Sequence, residues 1–155
     1  MSLVGKKAPE INLQNGTFEV VSLSDFQGTR NVVVLFYPLA FSSVCTEELC
    51  SVRDNMKIYN SLNAEVLGIS VDSLFVQKAF KQAQNLNFEL LSDFNKEVSR
   101  SYECIYEDYF GMKGVSKRAA FVIDKEGIVR YEEIQDKDDV IPNFTAIQKV
   151  LSEIE

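Results

Sequence analysis

The chain has 155 residues, 46% of them hydrophobic, enough to bury one sizeable core, so the sequence reads as a single domain over residues 1–155. Sixteen Lys and Arg against 23 Asp and Glu leave a formal charge of −7, which argues against nucleic acid or an anionic membrane as a partner. The absence of histidine removes Cys–His dyads, imidazole acid–base catalysis, haem ligation by His and mixed Cys–His zinc sites.

In chain order, Asn15-Gly16 between Ile11-Asn12-Leu13 and Phe18-Glu19-Val20-Val21 is a two-residue hairpin signal. Val32 to Phe36 is a continuous β-branched and apolar run, expected of a strand buried on both faces. Leu49, Val52, Met56, Tyr59 and Leu62 follow at helical spacing and form one apolar stripe. Glu65 to Val71 is a second buried strand, giving a βαβ unit. Asp72 or Ser73 can cap a helix whose Phe75, Ala79, Phe80 and Ala83 are expected to face inward. Phe88 to Leu91 is a short strand candidate, followed by a helix near residues 95–102. Ala119 to Asp124 and Ile128 to Ile134 read as an antiparallel pair turned by Lys125-Glu126-Gly127, and Ile141 to Ile154 as a closing helix.

Cys45 sits where the Val32 strand hands over to the following helix, at the carboxyl end of a strand, where α/β sheets gather ligand chemistry. A helix N-terminus offers free N–H groups and the positive end of the macrodipole, which favours the reactive thiolate. The alternative for a lone cysteine is a small buried hydrophobe. No Cys-x-x-Cys, GxGxxG or P-loop pattern is present, and the three cysteines do not pair into a zinc motif, so neither a metal nor an organic cofactor is expected. No apolar run is long enough for a bilayer, and Met1 to Ala8 lacks the apolar core of a signal peptide, so a cytoplasmic, thiol-reducing setting is expected.

The stretch Pro38, Ser42, Cys45 resembles the peroxiredoxin active-site pattern of Pro, three residues, Thr or Ser, two residues, Cys. Gly5-Lys6-Lys7-Ala8-Pro9, Leu23 to Gly28 and Gly114 to Asp124 resemble other elements of that family, so the likeness runs from Val4 to about Tyr131. The resemblance implies a thioredoxin-like α/β fold with an added N-terminal hairpin. It also implies a thiol-dependent peroxidase acting on hydrogen peroxide and organic hydroperoxides through a Cys45 sulfenic acid. Carried over residue by residue, Arg118 is the fixed cation beside the sulfur, and Ser42 a hydroxyl for the peroxide. The N–H groups of Val44 and Cys45 complete a cradle, Pro38 is a water-excluding ring, and Glu48 is a supporting carboxylate. Ser42 departs from the usual Thr, losing the methyl group that restricts the rotamer.

Cys50, five residues after Cys45, resembles the resolving cysteine of the bacterioferritin-comigratory-protein branch, with a thioredoxin-like protein as reductant. Alternatively Cys50 only packs, leaving a one-cysteine enzyme that uses an external thiol, or a peroxide sensor that passes its oxidation to a partner protein. On an ideal helix, residues five apart have Cα atoms about 8.7 Å apart. A disulfide tolerates about 7 Å, so a Cys45–Cys50 bond requires the first turns of the helix to unwind. Cys104 lies beside aromatic residues and is expected in the core. The chain is expected as a monomer or homodimer.

Overall fold

The computed structural model describes residues 2–154. Strands β1 (Asn12–Gln14) and β2 (Val20–Ser22) form an antiparallel ribbon. A single 3-10 turn (Leu23–Phe26) leads to β3 (Asn31–Phe36), α1 (Ser43–Asp54) and α2 (Met56–Ser61). Next come β4 (Ala64–Ser70), α3 (Leu74–Gln84), β5 (Glu89–Ser92) and α4 (Glu97–Ser101). The short strands β6 (Ile105–Tyr106) and β7 (Val115–Ser116) pair with each other, and β8 (Ala119–Ile123), β9 (Val129–Ile134) and α5 (Phe144–Glu153) complete the chain.

Seven strands share one sheet in the order β2-β1-β5-β4-β3-β8-β9. Strands β3, β4 and β5 run parallel, as a chain that alternates strand and helix requires, while β8 and β9 add antiparallel. Because β3 is central, every one of its residues is buried, which explains why its sequence is an unbroken apolar run. Alternate residues feed two cores. Val33, Leu35, Val66, Leu90, Ala120 and Val122 pack with α1, α2, Phe80 of α3 and Ile147 and Leu151 of α5. Val32, Val34, Phe36, Leu67, Phe121 and Ile123 pack on the other face with Val98 of α4, Tyr102 and Cys104. Helices therefore cover both faces, with α4 alone on its side among the described helices.

Four details differ from expectation. The hairpin exists, but Asn15 and Gly16 do not form a two-residue turn. Gln14 pairs with Val20, so the loop holds the five residues 15–19. The Asn15 side-chain oxygen accepts from the Thr17 and Glu19 amides, at 3.0 and 3.1 Å, while its amide nitrogen donates to Glu89 at 2.9 Å. An asparagine already engaged with β5 organises a wider loop around its own side chain. The inner face of α3 is also rotated. Phe80 is buried, but Ala79 and Ala83 are exposed and Phe75 is 67% exposed, edge-on to Phe18. Gln77 takes the inward place, because its amide bridges the Tyr37 hydroxyl, Ser70 and the Leu91 carbonyl. Third, the apolar stripe from Leu49 to Leu62 is divided at Asn55 between α1 and α2. Fourth, α5 starts at Phe144 instead of Ile141, since Asn143 caps it by accepting from the Ala146 amide.

Gly68 in β4 has no room for a side chain: a Cβ there would lie 2.7 Å from Leu90 Cδ2 and 3.5 Å from the Tyr37 ring. Gly68→Ala is expected to cost about 1–3 kcal/mol by overpacking, measured as a fall in urea-unfolding free energy.

Candidate active site

The register of β3 against β8 builds the site. Phe36 pairs with Ala119, so Tyr37-Pro38 and Arg118 leave the two strands side by side. Side chains alternate across the sheet, and Ala120 and Val122 face the layer that holds α1. Arg118 shares their parity and points to that layer, where α1 presents Cys45 from its first turn. The Arg118 Nη2 donates to Cys45 Sγ at 3.3 Å, and Nη1 donates to Glu48 Oε1 at 2.6 Å. Both Nε and Nη2 also donate to the Asp138 carbonyl, at 3.1 and 2.7 Å. Cys45 and Glu48 are fully buried and Arg118 is 1% exposed, so these contacts act in a low-dielectric environment.

Three successive acceptors explain how an arginine survives there. Burial disfavours its charge, yet the charges of Glu48 and Cys45 outweigh that and raise its pKa. Glu48 responds in the opposite sense. Burial pushes its carboxyl from the ordinary 4.5 up to about 7, against the pull of Arg118 and with a small push from Glu133. Its Oε2 is buried and meets no donor among the described residues. Glu48 reaches Arg118 from one helical turn beyond Cys45, so a single helix face carries both the sulfur and the carboxylate.

The other predicted residues are placed unevenly. Pro38 is buried just past the end of β3 and brings no backbone N–H to compete for the sulfur. Ser42 is the N-cap of α1, but its exposed hydroxyl donates to the Leu39 carbonyl at 2.9 Å and makes no cap bond. The amides of Val44 and Cys45 accordingly have no acceptor among the described residues and stay available at the helix end. Lys117, the neighbour of Arg118 in the chain, turns away, 3.9 Å from Asp136 and over the Tyr106 ring.

Cys50 and Cys104 have different surroundings. Cys50 is half-buried, its Sγ donating to Gln84 Oε1 at 3.5 Å, and all three cysteines are free thiols. Just beyond it, Arg53 Nη1 donates to the Gln84 carbonyl at 2.6 Å and Asn87 donates to the Arg53 carbonyl at 3.3 Å. Cys104 packs in the opposite core layer from Cys45. Burial pushes its thiol far above the ordinary range, and Asp93 adds to the shift.

Sequence reasoning missed Asp138 and Tyr109. Asp138 enters through its backbone carbonyl, which no residue type signals, and Tyr109 joins it by donating its hydroxyl to Asp138 Oδ2 at 2.5 Å. The aromatic run Tyr106 to Phe110 and the acidic run Asp136 to Asp139 were the only available hints.

Residues 4–132 match the model of the AhpC/TSA family. The chain belongs to this family, the peroxiredoxins. It is 37% identical to the 2-cysteine peroxiredoxin of Chattonella marina var. antiqua chloroplasts over 94% of this chain and 80% of that protein. Peroxiredoxin-2 of Bos taurus is 38% identical over 86% of this chain and 69% of its own length. Against the chloroplastic peroxiredoxin BAS1 of Spinacia oleracea, at 36% identity, the chain spans 54% of the relative. Among solved structures, the peroxidoxin BcpB of Mycobacterium tuberculosis superposes with a TM-score of 0.88 at 26% identity, covering all of this chain and 99% of that one. The reduced 2-Cys peroxiredoxin of Plasmodium vivax gives 0.86 at 30% identity, over 97% of this chain and 81% of that one. The fold is thus the thioredoxin-like fold of peroxiredoxins, as the motif resemblance implied.

The raised Glu48 pKa has a direct consequence for stability. A carboxyl that keeps its proton when folded up to about pH 7, yet loses it near 4.5 when unfolded, destabilises the fold as pH rises through that window. Between pH 5 and 8 the peroxiredoxin is expected to lose about 2–3 kcal/mol through this group. Urea unfolding of Glu48→Gln should show a shallower fall over the same range.

Proposed function

We propose that Cys45 is the peroxidatic sulfur of a thiol-dependent peroxidase and that Arg118 stabilises the charge which moves during its attack. The supporting observation is the buried hydrogen bond from Arg118 Nη2 to Cys45 Sγ. The Cys45 thiolate attacks one oxygen of a hydroperoxide, forming an S–O bond as the O–O bond breaks. The other oxygen leaves as an alkoxide or hydroxide and takes up a proton, so the products are a sulfenic acid and an alcohol or water. Negative charge passes from sulfur to the leaving oxygen, and a fixed guanidinium with free amides of Val44 and Cys45 nearby is suited to that path. Glu48 anchors the other arm of the guanidinium, restricting its rotation. Pro38 closes the strand side against water.

Cys50 is the second thiol of the cycle in this reading. Its sulfur attacks the Cys45 sulfenic acid, forming a disulfide and releasing water, and a dithiol reductant of the thioredoxin type restores both thiols. Cys104 is excluded from that part by its place in the opposite layer and its raised pKa. The helix decides how the two sulfurs meet. The first two turns of α1 are tied to the rest of the protein through Cys45 and Glu48 to Arg118, and beyond Cys50 Arg53 is tied to Gln84 and Asn87. Unwinding from Ser43 to Cys50 therefore releases Glu48 from Arg118 and lifts Leu49 from the core, and the Arg53 ties set its far limit.

Three experiments test this reading. Cys45→Ser should abolish peroxide turnover with a thioredoxin-type reductant while the circular dichroism stays unchanged. Arg118→Met should lower the peroxide rate by roughly 10²-fold, the usual effect of losing one transition-state donor; a wild-type rate in either variant would remove that residue from the chemistry. In oxidised protein, peptide mapping should find a Cys45–Cys50 disulfide, and hydrogen exchange should rise across 43–50 but not from Arg53 onward. A free Cys50 after oxidation would leave the cycle to an external thiol.

A further inference from the structure

The buried pair of Cys45 and Arg118 lies under two loops, residues 107–114 between β6 and β7 and residues 135–143 between β9 and α5. Asp138 joins the loops to the site by using two different groups. Its carbonyl accepts from Arg118 Nη2 at 2.7 Å, the same nitrogen that donates to Cys45 Sγ. Its carboxylate accepts from the Tyr109 hydroxyl at 2.5 Å. The crossing between the loops is thus one guanidinium nitrogen away from the reacting sulfur. A second tie lies alongside: the Tyr106 hydroxyl donates to the Asp136 carbonyl at 3.3 Å, and the Tyr106 and Tyr109 rings stack at 5.1 Å. Beyond these ties the loops face solvent, with Phe110 83% exposed.

Cys45 is 0% exposed, so a hydroperoxide reaches its sulfur only when neighbouring atoms move, and the Asp138 segment bonded to Arg118 is one of those neighbours. Opening has a cost that grows with the size of the molecule admitted. Hydrogen peroxide needs only a small displacement, whereas an aryl-alkyl hydroperoxide needs the loops to part. A hydrogen bond between a hydroxyl and a carboxylate is among the stronger kinds, so breaking it is the larger share of that cost.

We propose that the Tyr109–Asp138 hydrogen bond is a specificity determinant: it closes the mouth above Cys45 and Arg118, admitting small hydroperoxides and holding back bulky ones. Tyr109 acts as a positioning residue as well, because the same bond steadies the segment whose carbonyl holds Arg118. The proposal rests on Cys45 being the sulfur that peroxide attacks.

Two variants separate the parts of the device. Tyr109→Phe keeps the ring and its stacking and removes only the hydroxyl; Asp138→Ala removes the carboxylate and leaves the carbonyl used by Arg118. For each, kcat/KM is measured with cumene hydroperoxide and with hydrogen peroxide under the same reductant. Alkylation of Cys45 in the reduced enzyme is measured with N-phenylmaleimide and with iodoacetamide, read by peptide mapping so that Cys50 and Cys104 do not contribute. In both variants the bulky-to-small ratio should rise roughly tenfold for the peroxides and for the alkylating reagents, as the loss of one hydrogen bond to a charged group implies. Unchanged ratios in both overturn the proposal. An equal fall for both peroxides with unchanged alkylation overturns it too, since Tyr109 would then only steady Arg118. A wild-type enzyme that turns over no peroxide would sink the assignment of Cys45, while the alkylation ratios would still decide for or against the closed mouth.

Discussion

A guanidinium that water cannot reach needs protein acceptors for its N–H groups, and Arg118 at 1% exposure is in that position. Cys45, Glu48 and the Asp138 carbonyl supply them. Each acceptor comes from a different constraint: the sulfur from the first turn of α1, the carboxylate from the next turn, and the carbonyl from the loop after β9. Because the charges are desolvated, no member is separable from the others. Removing Glu48 leaves a buried cation short of an anion, and removing Arg118 leaves a buried carboxyl with nothing to oppose its protonation. The environment of Cys45 therefore depends on a balance of burial and pairing more than on any one contact.

Sheet register fixes this balance in space. Phe36 opposite Ala119 is the last pair of the β3–β8 ladder, and the Gln135 amide donates to the Arg118 carbonyl at 2.9 Å, holding that backbone in line with β9. A slip of one residue would turn Arg118 to the opposite face, among Phe121 and Ile123, and away from the sulfur. Both faces of β8 are apolar and buried, so it is side-chain size, with Ala120 and Val122 on one side and the larger Phe121 and Ile123 on the other, that opposes the slip. The core thereby orients the site.

Elements dominated by one physical signal were readable from the chain. β3 is an unbroken apolar run and is a buried central strand; Cys45 ends the link from it and lies in the first turn of α1; Arg118, which only the family resemblance singled out, precedes β8 and meets the sulfur. Where a polar side chain found a tertiary partner, local rules failed. Asn15 satisfies the loop and Glu89 together, so the Asn-Gly pair does not make a tight turn. Gln77 is buried by its bonds to Tyr37 and Leu91, so the apolar spacing of α3 pointed to the wrong face. Asp138 contributes a main-chain oxygen, for which sequence has no symbol.

The interruption at Asn55 has a further meaning for a helix that opens. Met56 and Tyr59, which line the core beside Cys45, Leu49 and Val52 of α1, belong to α2. Helix–coil transitions spread along continuous hydrogen-bonded ladders, and the break ends the ladder of α1 before Met56 and Tyr59. Asn55 thus acts as a firebreak: if α1 opens as the proposed Cys45–Cys50 disulfide requires, Leu49 leaves the apolar interior with it while Met56 and Tyr59 of α2 stay in place.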